Sequence, residues 1–307
     1  MGMRSFTGVA GLLAVSGVAS ASFLLVPEST TDQVMLLNAN TGRVIDANFL
    51  DIATQATAAG VSSTPIEALE VNGEFWVSDQ VADRIWRFGQ DGSFLGDIGA
   101  GGDFNNIRGM ELVGSTLYVA QGSDSDNYPE GIITVDTTTN MVTGSFIGVD
   151  PADASYWDVK SYNGELLVTN SDSGNDAIER YDTNGNLLGF FAQSDGLSDF
   201  DFMQQMNVRG SNGNLLGGGF SLPAGVYEFA PDGTPLGIVA GDGFGPRAAW
   251  ELANGAVMWT NGTWIRTDNR IIAEGSSFRF ISPVNAPAPG VASVLGLAGV
   301  MGLRRRR

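Results

Sequence analysis

The sequence contains no cysteine and no histidine. Their absence excludes thiol nucleophiles, disulfide bonds, zinc sites built from Cys and His, and every mechanism that uses imidazole as a base or a ligand. Lysine occurs once, at Lys160. Any chemistry at a site of this protein must therefore use carboxylates, amides, hydroxyls, tyrosine, arginine or this single lysine.

Positive charge is also scarce. The chain has 34 acidic and 16 basic residues and a formal net charge of -18, and five of the basic residues, Arg4 and Arg304 to Arg307, lie near its ends. The remaining chain, with 34 acidic and 11 basic residues, carries a net charge of -23. Because such a field repels phosphate backbones and anionic membrane surfaces, we do not expect nucleic acid as a partner.

The first 21 residues have the three parts of a secretory signal. Arg4 precedes an apolar run that continues to Ala19, and the small-residue sequence Ala19-Ser20-Ala21 stands before Ser22. This order is typical of a cleaved signal peptide, so residues 1–21 are predicted to be removed and the mature chain to begin at Ser22. The alternative is a buried N-terminal helix, which the glycines of this segment would weaken.

The middle of the chain is a repeat. A glycine turn, a short apolar strand, a polar loop, a second strand and a hairpin turn recur six times between residues 22 and 275. The spacings between the marker glycines are 41, 50, 49 and 42 residues, and these glycines are Gly73, Gly114, Gly164, Gly213 and Gly255. Repeats of about 40 to 50 residues are typical of four-stranded propeller blades. The sequence therefore predicts an all-β fold, a six-bladed β-propeller over residues 22–284.

The two ends of the repeat region predict how the ring closes. The opening copy begins directly at its second strand, FLLV, so its innermost strand is missing. After the sixth copy one strand, SFRFISPV (residues 277–284), is left over. We expect this last strand to complete the first blade and so to cover the exposed sheet edges.

The repeat resembles the NHL and related six-bladed propeller repeats. The segments that carry the likeness are VNGEFWVSDQVADRIWRFGQDGSFLGDIG (71–99) and FNNIRGMELVGSTLYVAQ (104–121). These motifs specify blade structure, and propellers host enzymes, binding modules and scaffolds alike, so the resemblance implies a fold without an activity.

Charged residues of the inner strands are the first candidate site. Alignment on the marker glycines places Glu67, Arg108 and Asp158 at equivalent positions, with Arg247 near the same level. Six-bladed lactonases of the senescence-marker type hold calcium in such a channel, and this resemblance implies a calcium site whose counterparts here are Glu67, Asp158, Asn170 and Asn207. The alternative is a set of channel charges that are solvated or pair with one another.

Two acidic loops are the second candidate. One carries Asp124, Asp126, Asn127 and Glu130, and the other carries Asp172, Asn175 and Asp176. Carboxylates that alternate with small residues can wrap a calcium ion, although neither loop has the spacing of a known calcium-loop motif. The alternative is an ordinary surface turn, because Asp and Ser bind their own backbone there.

The end of the chain has a second apolar segment. Residues 284–290 form a Pro-rich linker, and residues 291–303 form an apolar run of 13 residues, short of the roughly 20 that span a bilayer. Behind this run stands a basic cluster of four residues, Arg304, Arg305, Arg306 and Arg307. The cluster would stop the run during export, so the contact of this helix with the membrane is predicted to be transient. The alternatives are a short tail anchor and a packed terminal helix.

This three-part order resembles the PEP-CTERM sorting signal, here over residues 285–307 with the motif Pro287, Ala288, Pro289 and Gly290. The resemblance implies recognition by an exosortase-type enzyme, removal of the tail, and release or attachment at the outer surface of a Gram-negative-type bacterium. Ala288 stands where the family motif has Glu, which leaves the identity of the processing enzyme open.

These observations predict an exported propeller, at the cell surface or in the extracellular matrix, that acts as a non-enzymatic binding or structural module. Signal peptidase and an exosortase-type enzyme are its predicted processing partners, with extracellular polysaccharide or surface proteins as candidate ligands. The alternative is a calcium-dependent lactonase-like hydrolase that works from the channel through Glu67 and Asp158. A carbohydrate binder that uses channel or loop aromatics is a third hypothesis.

Overall fold

The computed structural model describes residues 22–147, 155–171, 176–195 and 199–285. These residues form six antiparallel sheets of four strands each, so the predicted six-bladed propeller is confirmed.

Three of the sequence predictions lie outside the described residues. They are the signal peptide with Ala19 and Ala21, the sorting segment, and the loop residues Asp172 and Asn175. The sorting segment includes the motif Pro287, Ala288, Pro289 and Gly290 and the basic cluster Arg304, Arg305, Arg306 and Arg307. The roles of these residues therefore stay predictions.

Blade 1 contains both ends of the described chain. Its strands are β1 (Phe23–Glu28), β2 (Gln33–Asn38), β3 (Val44–Asp51) and, innermost, β24 (Ser282–Val284). The order β24-β1-β2-β3 confirms that the last strand completes the first blade.

The closing strand is shorter than the eight residues that the sequence predicts. Only Ser282–Val284 pairs continuously with β1, and a single bridge joins Phe278 to Glu28 farther along. The residues between divide their backbone bonds: the Arg279 N–H donates to the Pro27 carbonyl of β1 (2.9 Å), but the next residue bonds to blade 2. The Phe280 N–H donates to the Ile66 carbonyl of blade 2 (3.1 Å).

Each of the other five blades is one consecutive run of four strands. Blade 2 has β4 (Pro65–Val71), β5 (Glu74–Asp79), β6 (Arg84–Gly89) and β7 (Phe94–Ile98). Blade 3 has β8 (Ile107–Val113), β9 (Thr116–Gln121), β10 (Gly131–Asp136) and β11 (Met141–Ile147). Blade 4 has β12 (Tyr156–Tyr162), β13 (Glu165–Asn170), β14 (Ala177–Tyr181) and β15 (Leu187–Gln193). Blade 5 has β16 (Met203–Val208), β17 (Leu215–Gly219), β18 (Gly225–Phe229) and β19 (Pro235–Ala240). Blade 6 has β20 (Ala248–Glu251), β21 (Val257–Thr260), β22 (Trp264–Thr267) and β23 (Arg270–Glu274).

One α-helix occurs among the described residues, α1 (Ile52–Ala59), in the connection from blade 1 to blade 2. Asp51 caps its start by accepting from the Thr54 N–H, and Gly60 ends it in the left-handed conformation. The repeat pattern did not predict this helix, although both caps are visible in the sequence. No helix in the described part of the chain is long and apolar enough to cross a membrane.

The core consists of six apolar clusters, one between each pair of neighbouring blades. The inner strands of each blade are therefore buried on both faces, which explains why they read as apolar runs with little alternation, whereas the outermost strands are partly exposed. Trp76, Trp86 and Trp259 are each at most 1% exposed and fill these interfaces. The packing positions the inner strands around a narrow channel.

The outermost strand of four blades bends at a glycine. Each of these glycines has positive φ and pairs with a residue of the third strand, and the register of the two strands shifts next to it. The four are Gly96 (φ 141), Gly144 (φ 155), Gly189 (φ 126) and Gly237 (φ 101). Such bulges twist an edge strand and hinder edge-to-edge pairing with another molecule.

Candidate functional site

The six inner strands β4, β8, β12, β16, β20 and β24 surround the channel and all begin at one end, which we call the mouth. Hydroxyls of one blade bind carbonyls of the next and so fix the relative height of these strands. The bonds are Ser78 Oγ to the Arg108 carbonyl (2.6 Å), Thr169 Oγ1 to the Gln204 carbonyl (3.2 Å) and Thr260 Oγ1 to the Arg279 carbonyl (2.6 Å). Together with the registers of the inner strands, these bonds identify one residue of each blade that lies at the same height at the mouth. The six residues are Ile66, Arg108, Trp157, Gln204, Arg247 and Arg279.

Two buried carboxylates lie one residue deeper than the mouth. Glu67 is 3% exposed and Asp158 is 1% exposed. Each accepts from a backbone N–H of the next blade, Glu67 from Met110 and Asp158 from Met206 (2.7 Å). Those N–H groups are available because β8 and β16 each have a register shift just before the methionine. The carboxylates therefore satisfy donors that the irregular inner strands leave unpaired.

The equivalent position of blade 3 shows why a third carboxylate is absent there. It is Gly109, and a Cβ at this residue would overlap with the Asp158 carboxylate and the Trp157 carbonyl. Alignment on marker glycines instead places Arg108 level with Glu67, which is wrong by one residue. The reason is that Gly114 opens its hairpin turn, whereas Gly73 is the second residue of its turn.

The middle of the channel is closed by hydrogen bonds that cross it. Glu67 Oε1 of blade 2 accepts from Gln205 Nε2 of blade 5 (2.9 Å) and from Ser282 Oγ of blade 1 (2.7 Å). Gln205 Oε1 in turn accepts from the Ile281 N–H (2.8 Å). Asn207 Nδ2 donates to the carbonyl of Ile281 (2.9 Å). Side chains of three blades thus bind one another directly at this height.

The electrostatics of this layer follow from its burial. Burial raises the pKa of Glu67 to about 7, although the hydrogen bonds from Ser282 and Met110 oppose the shift. Burial and then the neighbouring Glu67 charge raise the pKa of Asp158 well above its usual range. Lys160 lies in the same region and binds Glu111 (Nζ to Oε2, 2.9 Å). Burial opposes the charge of this lysine, but Glu111, Asp158 and Glu67 together outweigh it and raise the pKa of Lys160.

The mouth itself carries arginine and aromatic side chains. Arg108 lies over the Trp157 ring (4.1 Å from guanidinium carbon to ring centroid), and Arg247 lies over the Phe220 ring (4.6 Å). Phe202 joins the two pairs, because its ring contacts Trp157 (centroids 4.8 Å apart) and Phe220 (5.4 Å). We call these five side chains the mouth arc. It runs from blade 3 to blade 6.

Desolvation affects all three arginines of the mouth. Burial lowers the pKa of Arg108 to about 10, and Glu130 partly opposes this shift. Burial, and then the positive charge of Arg279, lower the pKa of Arg247 to about 10. Burial also lowers the pKa of Arg279, with Glu28 opposing it. All three remain charged at neutral pH.

The four channel residues suggested as calcium ligands all form hydrogen bonds within the protein. Asn170 accepts from the Ser155 N–H and donates to Glu179, within and beside blade 4. Both oxygens of Glu67 already accept from protein donors, so a cation would have to displace them. In the described part of the chain no three acidic residues form a group that could hold a metal ion. The residues therefore fit calcium poorly as they are arranged, and the calcium assignment stays a prediction.

The first acidic loop borders a groove between blades 2 and 3. Asp124 and Asp126 both line this groove, which has a volume of about 330 Å³. Asp124 Oδ1 accepts from the Glu130 N–H (2.8 Å), and Asn127 Nδ2 donates to Asp103 (2.8 Å). These bonds are those of a turn that holds itself together. Of the second loop, Asp176 is described and buried.

Several residues of the channel were not found by sequence reasoning. Gln204, Gln205, Arg279 and Ser282 lie in segments whose register the marker glycines did not define. The run MQQMNV offered a signal, because two polar residues stand at the start of a strand that is otherwise predicted to be buried.

No family model matches the chain, and no curated protein sequence matches it. Solved structures do match. A chain in a crystal structure of a nidogen/laminin complex aligns with a TM-score of 0.60 at 14% identity, covering 84% of this chain and 97% of that chain. A catalytically inactive virginiamycin B lyase from Staphylococcus aureus, with quinupristin, aligns with a TM-score of 0.51 at 11% identity, covering 74% of this chain and 72% of that one.

A streptogramin B lyase structure aligns with a TM-score of 0.50 at 10% identity, covering 73% of this chain and 70% of that chain. At identities this low the likeness shows a shared propeller fold and nothing finer.

Proposed function

We propose that this protein is an exported β-propeller that acts at the outer cell surface or in the extracellular matrix as a non-enzymatic binding or structural module. The observation that carries the proposal is the closed middle of the channel. Glu67, Gln205 and Ser282 bind one another there, so their polar atoms serve to hold opposite blades together. The mouth and the outer faces are the surfaces left for partners.

The start of the fold supports export. Ser22, the predicted first residue of the mature chain, donates its N–H to the Val284 carbonyl (3.2 Å). Phe23 then begins β1 and is 9% exposed. Removal of residues 1–21 would therefore leave a chain that enters the propeller at once. The propeller closes at Val284, directly before the Pro-rich motif of the proposed sorting segment.

A binding role agrees with what the fold does elsewhere. One structural neighbour belongs to a nidogen/laminin complex, whereas others are lyases, so the fold by itself decides nothing. The residue types of this chain favour the first use. With neither histidine nor cysteine, no imidazole base or thiol is present to serve a reaction at the mouth.

The second candidate, a calcium-dependent hydrolase, would need Glu67 and Asp158 to release their present donors. Calcium titration separates the two candidates. A hydrolase requires calcium to raise the thermal midpoint of the protein and Asp158→Asn to abolish that rise. We expect calcium to leave the midpoint unchanged in both proteins. A saturable rise in the wild type alone would favour the hydrolase.

Export is tested by intact mass after expression of the full chain in a Gram-negative bacterium. We expect protein recovered outside the cytoplasm to begin at Ser22. Ala21→Leu should block cleavage, because signal peptidase requires a small residue there, and the matched control Ser20→Leu should be cleaved normally. Envelope protein that retains Met1 would contradict the proposal. A C-terminus still ending at Arg307 would contradict the processing step.

A further inference from the structure

The arginines of the mouth lack the ion pairs that the other partly buried arginines of the described residues form; the exposed Arg43 and Arg270 form none either. Six of the eleven basic side chains in the described residues form an ion pair with Asp or Glu. Arg108, Arg247 and Arg279 do not, although acidic residues outnumber basic ones about two to one in this chain. Glu130 and Glu28 act on Arg108 and Arg279 through their charge, and for Arg247 no such carboxylate is found in the described residues. Desolvated charges that form no ion pair are costly.

The contacts with aromatic rings show the same contrast. Arg84, Arg87 and Arg266 each lie over a tryptophan and also bind a carboxylate. Arg108 and Arg247 lie over rings of the mouth arc, but neither has a carboxylate within ion-pair distance among the described residues. Contact with an aromatic ring is thus compatible with an ion pair, and it does not explain why Arg108 and Arg247 have no carboxylate partner.

The mouth also holds donors that no acceptor uses. In the described part of the chain, Arg108 Nε, Arg247 Nε and the Trp157 indole Nε1 are buried and make no hydrogen bond. Arg108 is only 6% exposed. Its Nη1 donates to the Tyr156 carbonyl (2.6 Å), so its guanidinium is held in place. All of these groups are donors only, and what complements them is an acceptor such as an oxyanion.

Two of the three guanidinium groups are neighbours. Thr260 bonds to the backbone of both arginines: its carbonyl accepts from the Arg247 N–H (2.8 Å) and its Oγ1 donates to the Arg279 carbonyl (2.6 Å). The charge of Arg279 also lowers the pKa of Arg247, after the larger effect of burial. Arg247 Nη1 makes a long contact with Gln204 Oε1 (3.4 Å), and Arg279 Nε donates to Ser29 Oγ (2.7 Å). An anion between these two arginines would relieve their repulsion and supply the missing acceptor.

Apolar surface lies beside Arg247. Phe220 contacts the guanidinium of Arg247, and the loop that contains Phe244 packs against the Phe220 ring at Gly245. Phe244 is 68% exposed, and Leu222, two residues after Phe220, is 77% exposed. A ligand that combined an anionic group with an apolar ring could contact both kinds of surface.

We infer that the mouth binds a singly charged organic carboxylate, with the carboxylate on Arg247 and Arg279 and the apolar part on Phe220 and Phe244. This inference deepens the proposed binding function and rests on it. A single negative charge is preferred over a phosphate or sulfate dianion, because the net charge of -18 repels a dianion more strongly.

Isothermal titration of the purified protein tests the inference, with cyclohexanecarboxylate as the probe. We expect saturable binding of one probe per chain. Cyclohexanecarboxamide, which lacks the charge, and acetate, which lacks the ring, should each bind at least about tenfold more weakly. Sulfate should compete poorly.

The variants Arg247→Gln and Arg279→Gln should each weaken binding of the probe by about tenfold or more, because each removes one guanidinium. The matched control is Arg270→Gln, which removes the same charge from an exposed side chain on the outer strand β23. It should change the affinity by less than about twofold. Circular dichroism checks that each variant is folded. If Arg247→Gln does not fold, Arg247→Lys takes its place in the test.

Each outcome of the experiment decides one point. Absence of saturable binding by the wild type would overturn the inference, as would binding that the two mouth variants leave unchanged. Equal affinity for the carboxamide would overturn the role of charge, and tighter binding of sulfate would overturn the choice of a carboxylate. The export experiment is independent of all these results, so a failure of binding and a failure of export can be told apart.

Discussion

The buried carboxylate of Glu67 should make the stability of the propeller fall as the pH rises. Burial raises its pKa in the folded protein from the ordinary value of 4.5 to about 7. Between these two values the folded state binds more protons than the unfolded state. The free energy of unfolding therefore decreases with increasing pH in this window, and the loss is complete only above the folded-state pKa.

The size of the effect follows from the two pKa values. For a single group with these values, the free energy of unfolding should be about 2.5 kcal/mol lower at pH 8 than at pH 5. Asp158 acts in the same direction, because burial and the Glu67 charge raise its pKa as well. The wild type should therefore lose at least this much.

The perturbation is Glu67→Gln, which keeps the shape of the side chain and removes its titration. The variant also loses acceptor capacity toward Met110, Gln205 and Ser282, a cost of about 1 to 3 kcal/mol that hardly depends on pH. The informative quantity is thus the difference in stability between pH 5 and pH 8, which should be about 2 to 3 kcal/mol smaller in the variant.

Urea unfolding at several pH values and constant ionic strength measures this quantity, with the m-value as a check that the same surface unfolds. Glu274→Gln is the matched control, since Glu274 is exposed on β23 and should leave the pH dependence unchanged. If Glu67→Gln showed the full wild-type dependence, Glu67 would titrate as an ordinary carboxylate, and a raised pKa in the closed channel would be refuted.

Two further changes test closure and turn geometry. A chain that ends at residue 276 loses four fully buried apolar side chains of the closing segment, whose burial is worth about 6 to 12 kcal/mol in total. Its soluble yield and cooperative thermal unfolding should therefore vanish, whereas a chain that ends at Asn285 should keep both. A stable shorter chain would contradict closure. Gly233→Ala should cost about 2 to 5 kcal/mol in urea unfolding, because φ is 88° and a Cβ would overlap with the Phe191 carbonyl. Gly237→Ala, with positive φ but open space, should cost only about 1 to 2 kcal/mol, and equal losses at the two sites would refute the steric argument.

Local patterns in the sequence were sufficient for the architecture. Turn pairs such as Asn72-Gly73 and Asn163-Gly164 adopt positive φ at both residues, as the two-residue hairpin turn requires. Each blade is a run of neighbouring strands joined by short turns, so its pairing depends on residues close together in the chain. The number of blades and the pairing of the last segment with the first blade therefore follow from the repeat, its period and the one unpaired segment at its end, although only Ser282–Val284 of that segment forms the closing strand.

The candidate site depends on contacts of the opposite kind. Glu67 and Gln205 are 138 residues apart, and Glu67 and Ser282 are 215 apart. Their meeting is decided by the closure of the ring, which no local pattern reports. Even the height of Arg108 was misplaced by one residue, because hairpin turns tolerate glycine at either of two positions while the inner strand continues unchanged.

By itself, then, the sequence determined the number of blades, the strands, the closing segment and the excess of negative charge, since each is written in neighbouring residues or in composition. Only the tertiary structure decided which polar groups bind one another across the channel and which arginines are left without a carboxylate. The physical reason is that hydrogen bonds and ion pairs act over a few ångströms in space, whatever the distance along the chain.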